Sequence, residues 1–285
     1  MGRKKRVNKQ STPSTLLLCR TQFQSKVLTW TITPLLAFTT AYLFGRVLST
    51  SSVKAFLPAF LISLLFALAA WLFKAATLPA AVIGFLVCMI ITEPSAQRGV
   101  SPLHTALPAL VVLVLLTFIA TRFGRSKKET RRLAERQEGR HASQIIANLG
   151  VAALCSAAGW HSGAIAALAE AAADTASSEV GQAVGGPVWL LTSWRRVPTG
   201  TNGGVSITGS TAGIVAAALV VATGMSSGVP ASTAVLLFAA ACAGLFFDSL
   251  LGATLENRGW IGNDVVNLCS TAFAAAVAVL AIYLS

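Results

Sequence analysis

Negative charge is nearly missing from this chain. Its 285 residues include 10 acids, the first at Glu93, and charged residues of both signs make up only 11%. An ordinary soluble domain carries roughly 25%, so the shortage excludes one. Histidine is equally sparse: His104, His141 and His161 form no ligand or triad spacing. The five cysteines show no CxxC, and only Cys19 falls outside an apolar segment, which removes a disulfide framework and a zinc site from consideration. Position 6 is Arg rather than Ser or Thr, so Gly2 does not sit in a myristoylation signal.

What fills the chain instead is hydrocarbon, at 54% hydrophobic residues. Nearly uncharged runs cover Val27 to Gly45, Ala55 to Phe73, Ala75 to Thr92, Leu103 to Thr121, Val205 to Thr223, Ser232 to Leu251 and Val265 to Leu284. Runs of about 18 or more such residues read as membrane spans. Lipid leaves no partner for an unpaired backbone amide, so the expected fold is all-α, a polytopic helix bundle. Its Ala and Gly content, including Gly209 and Gly213 in a GxxxG arrangement, favours close helix packing.

The 22 Lys and Arg gather mainly up to Lys26 and between Arg122 and Arg140. Such clusters mark cytoplasmic sides rather than a nucleic-acid surface. The acid-free amino terminus would suit a transit peptide, but the run from Val27 is too long for a signal core and lacks a cleavage site. Residues 1–26 are therefore expected as a basic, flexible cytoplasmic tail on a single transmembrane domain, 27–285. Ile145 to Ala173, interrupted by Trp160-His161-Ser162-Gly163, is open to two readings, one tilted helix or a hairpin of two short ones. The hairpin gives about nine spans and puts 19 of the 22 cations on the cytoplasmic side, against 16 for a single helix. It also places loops 122–144, 175–204 and 252–263 on one face.

Acids inside spans are costly enough to be functional candidates. Glu170, Asp174, Ser177 and Ser178 share a helical face, whereas Glu179 would lie about 140° from Asp174 unless the helix ends nearby, for which Gly181 is suited. Asp248 and Glu256 flank a second segment; Asn263 or Asp264 can cap the last helix, with Asn267 one turn on. Between them lies RRVPTGTNGGVS, Arg195 to Ser206. Pro198, Gly200, Gly203 and Gly204 allow successive amides to turn toward one point beside the start of a helix, an anion site in prospect. It is not a Walker A loop. Adjacent Arg195 and Arg196, with carboxylates available to hold Mg²⁺, favour a polyphosphate.

Three blocks carry a wider likeness: ADTASSEVG at Ala173 to Gly181, WRRVPTGTNGGVS at Trp194 to Ser206, and DSLLGATLE at Asp248 to Glu256 followed by NDVVNL at Asn263 to Leu268. In order and wording they resemble the transmembrane protein 19 family, which includes a plant phytyl-phosphate kinase. The likeness runs from about Thr77 onward. The chain departs from many members in the short stretch Asn257 to Gly262 between the last two blocks. The resemblance implies a membrane kinase that moves a phosphoryl group from a nucleoside triphosphate, CTP or ATP, to an isoprenyl monophosphate. It implies Mg²⁺ on Asp174, Glu179 and Asp248. Phosphates would meet Arg195, Arg196, Ser178, Thr199, Gly200, Thr201, Asn202, Gly203 and Gly204, with Asn202, Asp264 and Asn267 orienting ligand or metal. The implied setting is a bacterial inner membrane or a plastid-type one, with the site on the cytoplasmic or stromal face. CTP-dependent nucleotidyl transfer to a lipid phosphate needs the same parts, and a transporter would also use buried acids and a broken hairpin.

Overall fold

The smallest apolar side chains collect on one helix, and that helix is the centre of the protein. In the computed structural model, which describes residues 13–50, 53–131, 133 and 139–284, His161–Val184 forms α7. Every residue from Gly163 to Ala173 is buried, seven of them Ala and the rest Gly163, Ile165, Leu168 and Glu170. Short side chains all round let other helices approach the backbone from every direction. The helices α4 (Leu107–Arg122), α6 (Ala142–Ala157), α8 (Ile207–Ser226), α9 (Ala231–Leu251) and α10 (Asn263–Leu284) all pack on it.

Around this centre stand α1 (Pro13–Thr50), α2 (Val53–Leu72) and α3 (Leu78–Arg98), with the short α5 (Arg125–Thr130) folded across the end of α7. On α1, Leu28, Leu36, Leu43 and Val47 turn inward while Trp30, Phe38 and Tyr42 turn out. Large apolar side chains facing outward along the peripheral helices are the signature of a lipid-facing surface. The protein is an all-α, multi-pass membrane protein. Five helical stretches are long and apolar enough to cross a bilayer: Cys19–Ser49, Leu78–Arg98, Ile207–Ser226, Ala231–Glu256 and Asn263–Leu284. Phe56–Leu72, Leu107–Arg122 and Ala142–Ala157 are apolar but shorter. Nine helices among the described residues have 16 or more residues, but five stretches, not the nine spans expected, meet both criteria.

Four boundaries differ from the sequence-based expectation. The helix α1 starts at Pro13, so residues 13–26 are helical rather than tail; the basic residues before Pro13 lie outside the described residues. Ala142–Ala157 and His161–Val184 form a hairpin turning at Ala158 to Trp160, but α7 is long and runs through Gly181. A Cβ on Gly181 would stand 3.1 Å from Ser206 Oγ and 3.4 Å from Gly209 Cα, so this glycine serves the contact with α8 rather than a helix end. The loop expected from 175 begins only at Gly185. It carries a small antiparallel sheet of order β2-β1-β3, with β1 Val188–Leu190, β2 Arg196–Val197 and β3 Gly204–Val205. Lastly, the segment expected as loop 252–263 opens with a single π-helical turn, Gly252–Glu256, continuing α9.

Candidate functional site

At one end of the bundle, α7, α9, the π turn and the loop before α8 enclose a cavity of about 150 Å³. Asp174, Ser177 and Ser178 reach it from α7, Asp248 and Ser249 from α9, Glu256 from the π turn, Asn263 from the start of α10, and Thr199 to Gly204 from the loop. Asp174, Ser177 and Ser178 belong to one helical face, as their spacing requires. Glu170, one turn deeper on that face, is buried at 1% exposure, and its Oε1 has no partner among the described residues. Asp248 accepts a hydrogen bond from the Ser270 hydroxyl at 3.1 Å, which fixes one of its oxygens.

The glycine loop is held against α9 by backbone contact. Gly203 has φ +70, and a Cβ there would lie 2.1 Å from the amide nitrogen of Ala253 and 2.4 Å from the Ser249 carbonyl oxygen. Only a residue without Cβ allows that approach and that backbone angle together. Asn257 Nδ2 donates to the Asn202 carbonyl at 3.0 Å, a second anchor on the same side. Within the loop, the Thr201 amide donates to the Pro198 carbonyl at 3.2 Å and the Gly204 amide to the Thr201 carbonyl at 3.0 Å. Those two amides close turns, which takes them out of the anion cradle expected from Gly200 to Gly204.

Several expected site residues lie elsewhere. Glu179 pairs with Lys128, itself buried and also donating to the carbonyls of Ala120 and Thr121. Because α7 stays regular, Glu179 cannot turn to the cavity that Asp174 lines. Arg195 and Arg196 are exposed and do not line the cavity. The sheet order explains this, since β1 separates β2, which carries Arg196, from β3, which continues the glycine loop. Asp264 lines the open cleft beside the cavity rather than the cavity itself, and it accepts from the Ser25 hydroxyl at 2.6 Å, which ties α10 to α1. Asn267 donates to Asn148 Oδ1 at 3.0 Å, joining α10 to α6 inside the bundle.

Sequence reasoning assigned no site role to Glu256 or Asn263, though both stand in the quoted blocks. Glu256 follows Asp248 by eight residues, and the π turn inserted between them helps to decide where it points. Lys128 offered no signal at all within its run of basic residues.

Three carboxylates thus share a small cavity with no Lys or Arg in its lining. Like charges in such a place repel, and a cation would relieve them. Among the described residues no three His, Cys, Asp or Glu are assembled as a ready metal cage. That donor set suits Mg²⁺, which commonly binds through one or two carboxylates and completes its shell with water and substrate phosphate. The cavity adjoins an open cleft of about 790 Å³ with which it shares Asn202, Glu256 and Asn263. The cleft is walled by Thr21, Gln22, Ser25 and Lys26 of α1, and by His141. It is wide enough for a ligand far larger than the cavity alone would take.

The family described as Integral membrane protein DUF92 matches residues 61–275. An uncharacterised membrane protein of Synechocystis, sll0875, is 33% identical over 172 residues, 56% of this chain and 67% of that one. Protein VTE6, chloroplastic, of Arabidopsis thaliana is 28% identical over 179 residues, and the match spans 54% of its length and 56% of this chain. Uncharacterised membrane protein MJ0933 of Methanocaldococcus jannaschii is 29% identical over 177 residues, 60% of this chain and 74% of that one. No solved structure matches.

Proposed function

The chain belongs to the DUF92 family of integral membrane proteins, and on that premise we propose that it transfers a phosphoryl group from a nucleoside triphosphate to an isoprenyl monophosphate, giving the diphosphate. The observation that carries the reading is the cavity in which Asp174, Asp248 and Glu256 face the glycine loop. A shared likeness to the transmembrane protein 19 family, and through it to a phytyl-phosphate kinase, supplies the class of reaction.

Asp174 and Asp248 would hold Mg²⁺, which when bound neutralises the donor's phosphate oxygens. Thr199 to Asn202 would lie along the polyphosphate, and the adjoining cleft would receive the nucleoside. The acceptor oxygen is already anionic near neutral pH, so no strong base is needed to deprotonate it. What the protein has to supply is alignment and charge neutralisation. Ser177 and Ser178 present hydroxyls that can donate to phosphate oxygens without adding charge. The Ser270 bond to Asp248 leaves the other carboxylate oxygen for the metal.

The test is incubation of detergent-purified protein with phytyl, geranylgeranyl and longer prenyl monophosphates, Mg²⁺ and ATP or CTP in turn. The reading expects prenyl diphosphate together with nucleoside diphosphate. Release of pyrophosphate would move the reaction to nucleotidyl transfer, and no product from any pair would overturn the proposal.

A further inference from the structure

A second cavity, of about 310 Å³, opens at the same end of the bundle and shares no lining residue with the first. It lies between α2, α3, α4 and α6, and α7 forms its back wall through Ala171. Its composition changes with depth. Lys74 and Arg122 are exposed at its mouth and Arg125 and Arg140 half-buried, whereas Ala80, Ala81, Gly84, Leu113 and Leu149 are buried inside it. No Asp or Glu lines it. From Arg122 down to Leu113 on α4 is nine residues, about 13 Å along the helix.

The cations at the mouth are positioned by their surroundings. The Arg122 guanidinium lies 3.5 Å over the Phe118 ring and donates to the Phe73 carbonyl at 3.1 Å. Arg140 has its backbone stitched to the segment before α3, its amide donating to Ala75 and its carbonyl accepting from Thr77, each at 3.0 Å. Its side chain donates to Thr175 Oγ1 at 3.3 Å. Pre-placed guanidinium groups above an apolar shaft match a molecule with an anionic head and a hydrocarbon tail. Size adds a limit. A cavity near the lower end of the range for small-ligand sites takes a phosphate and the first isoprene units, so a longer chain must run on into the bilayer.

We propose that this cavity is the acceptor site, holding a prenyl chain with a terminal monophosphate, its phosphate at Arg122 and Arg140 and its first isoprene units beside Gly84 and Leu113. The inference rests on the phosphoryl-transfer reading for the identity of the ligand. It places donor and acceptor side by side along α7, where Ala171 lines one cavity and Asp174, three residues on and on nearly the same helical face, lines the other. In the transfer, an oxygen of the prenyl phosphate bonds to the γ-phosphorus while the β–γ bridging P–O bond breaks. The nucleoside diphosphate leaves with that electron pair, and no proton need be removed from an acceptor oxygen that is already ionised.

Binding of geranylgeranyl monophosphate without nucleotide tests this, compared with geranylgeraniol, inorganic phosphate and phosphatidylglycerol as competitors. The expected result is that only the prenyl phosphate competes well. Arg122→Gln and Arg140→Gln should each weaken binding at least tenfold, Gly84→Leu should weaken it by filling the shaft, and Asp174→Asn should bind normally yet give no product. Thermal unfolding of each variant separates lost binding from lost folding. Diphosphate formation with unchanged KM in Arg122→Gln and Gly84→Leu would overturn the acceptor site and leave the kinase reading standing. Equal competition by phosphatidylglycerol would make the cavity a site for bulk lipid, and by inorganic phosphate an anion site without a tail; either overturns the proposal. Prenyl phosphate binding with no diphosphate under any nucleotide would instead strike the kinase reading.

Discussion

Asp174 and Glu179 stand five residues apart on α7 and answer to different partners, Asp174 to the cavity and Glu179 to Lys128. Their substitutions should therefore fail in different ways. On the proposed reading, Asp174→Asn or Asp248→Asn should fold normally and lose about 100-fold or more in turnover, since each removes a carboxylate that would hold the Mg²⁺ neutralising the transferring phosphate. Glu179→Gln leaves a buried ammonium without its counter-ion, which should cost about 3 kcal/mol of stability. Joining it with Lys128→Met should restore most of that loss, read as recovery of the unfolding midpoint with activity regained. A double variant that is stable but inactive would return Glu179 to the site. At Gly203, Ala brings both a positive φ and a clash with backbone, so Gly203→Ala should cost activity sharply by lifting the loop off α9. A Michaelis constant for nucleotide unchanged in that variant would contradict the loop's role.

At the scale of elements, the contact between α7 and α8 is made backbone to backbone. A Cβ on Gly213 would lie 2.7 Å from the Ala173 carbonyl oxygen and 3.0 Å from a Leu245 methyl. Gly213→Val should therefore destabilise by about 1–3 kcal/mol through overpacking, whereas Gly45→Ala, with open space around it, should leave stability unchanged or raise it slightly. Detergent-stability assays on the pair check this directly. The GxxxG spacing of Gly209 and Gly213 announced that contact in the sequence; the hairpin was legible as well, though its turn falls at Ala158 to Trp160 and meets the flagged Trp160 to Gly163 only at Trp160. Asp174, Asp248 and the glycine loop were legible too, because acids in apolar runs and clustered glycines are locally anomalous. Other features had no local trace. The role of Gly181 depends on a helix packed against it, the distance of Arg195 and Arg196 from the cavity depends on strand order, and the Lys128 partner of Glu179 comes from a distant run of cations. Each is decided by long-range pairing, which periodicity and composition do not encode.

For the molecule as a whole, both cavities and the open cleft lie at the end where α1, α3, α6 and α8 begin and α2, α4 and α9 finish. The described part of the basic segment, Arg122 to Arg131 with Leu133 and Arg140, lies at the same end, with Leu133 against Gly200 and Arg131 donating to the Gln182 carbonyl at 2.7 Å. Cation-rich ends tend to face the cytoplasm, and the proposed reaction requires this end on the side that holds its nucleotide. Because α6 and α7 form a hairpin, Ser162 and Ser193 must lie at opposite ends of the bundle. In a background with Cys19, Cys88, Cys155, Cys242 and Cys269 replaced, a cysteine at position 162 should react with an impermeant maleimide from outside intact cells, and one at 193 only after the membrane is opened. The reverse pattern would put the glycine loop, Asp174 and Asp248 on the side without nucleoside triphosphate. A kinase cannot work from there, so the labelling experiment bears on the chemistry as directly as it does on the topology.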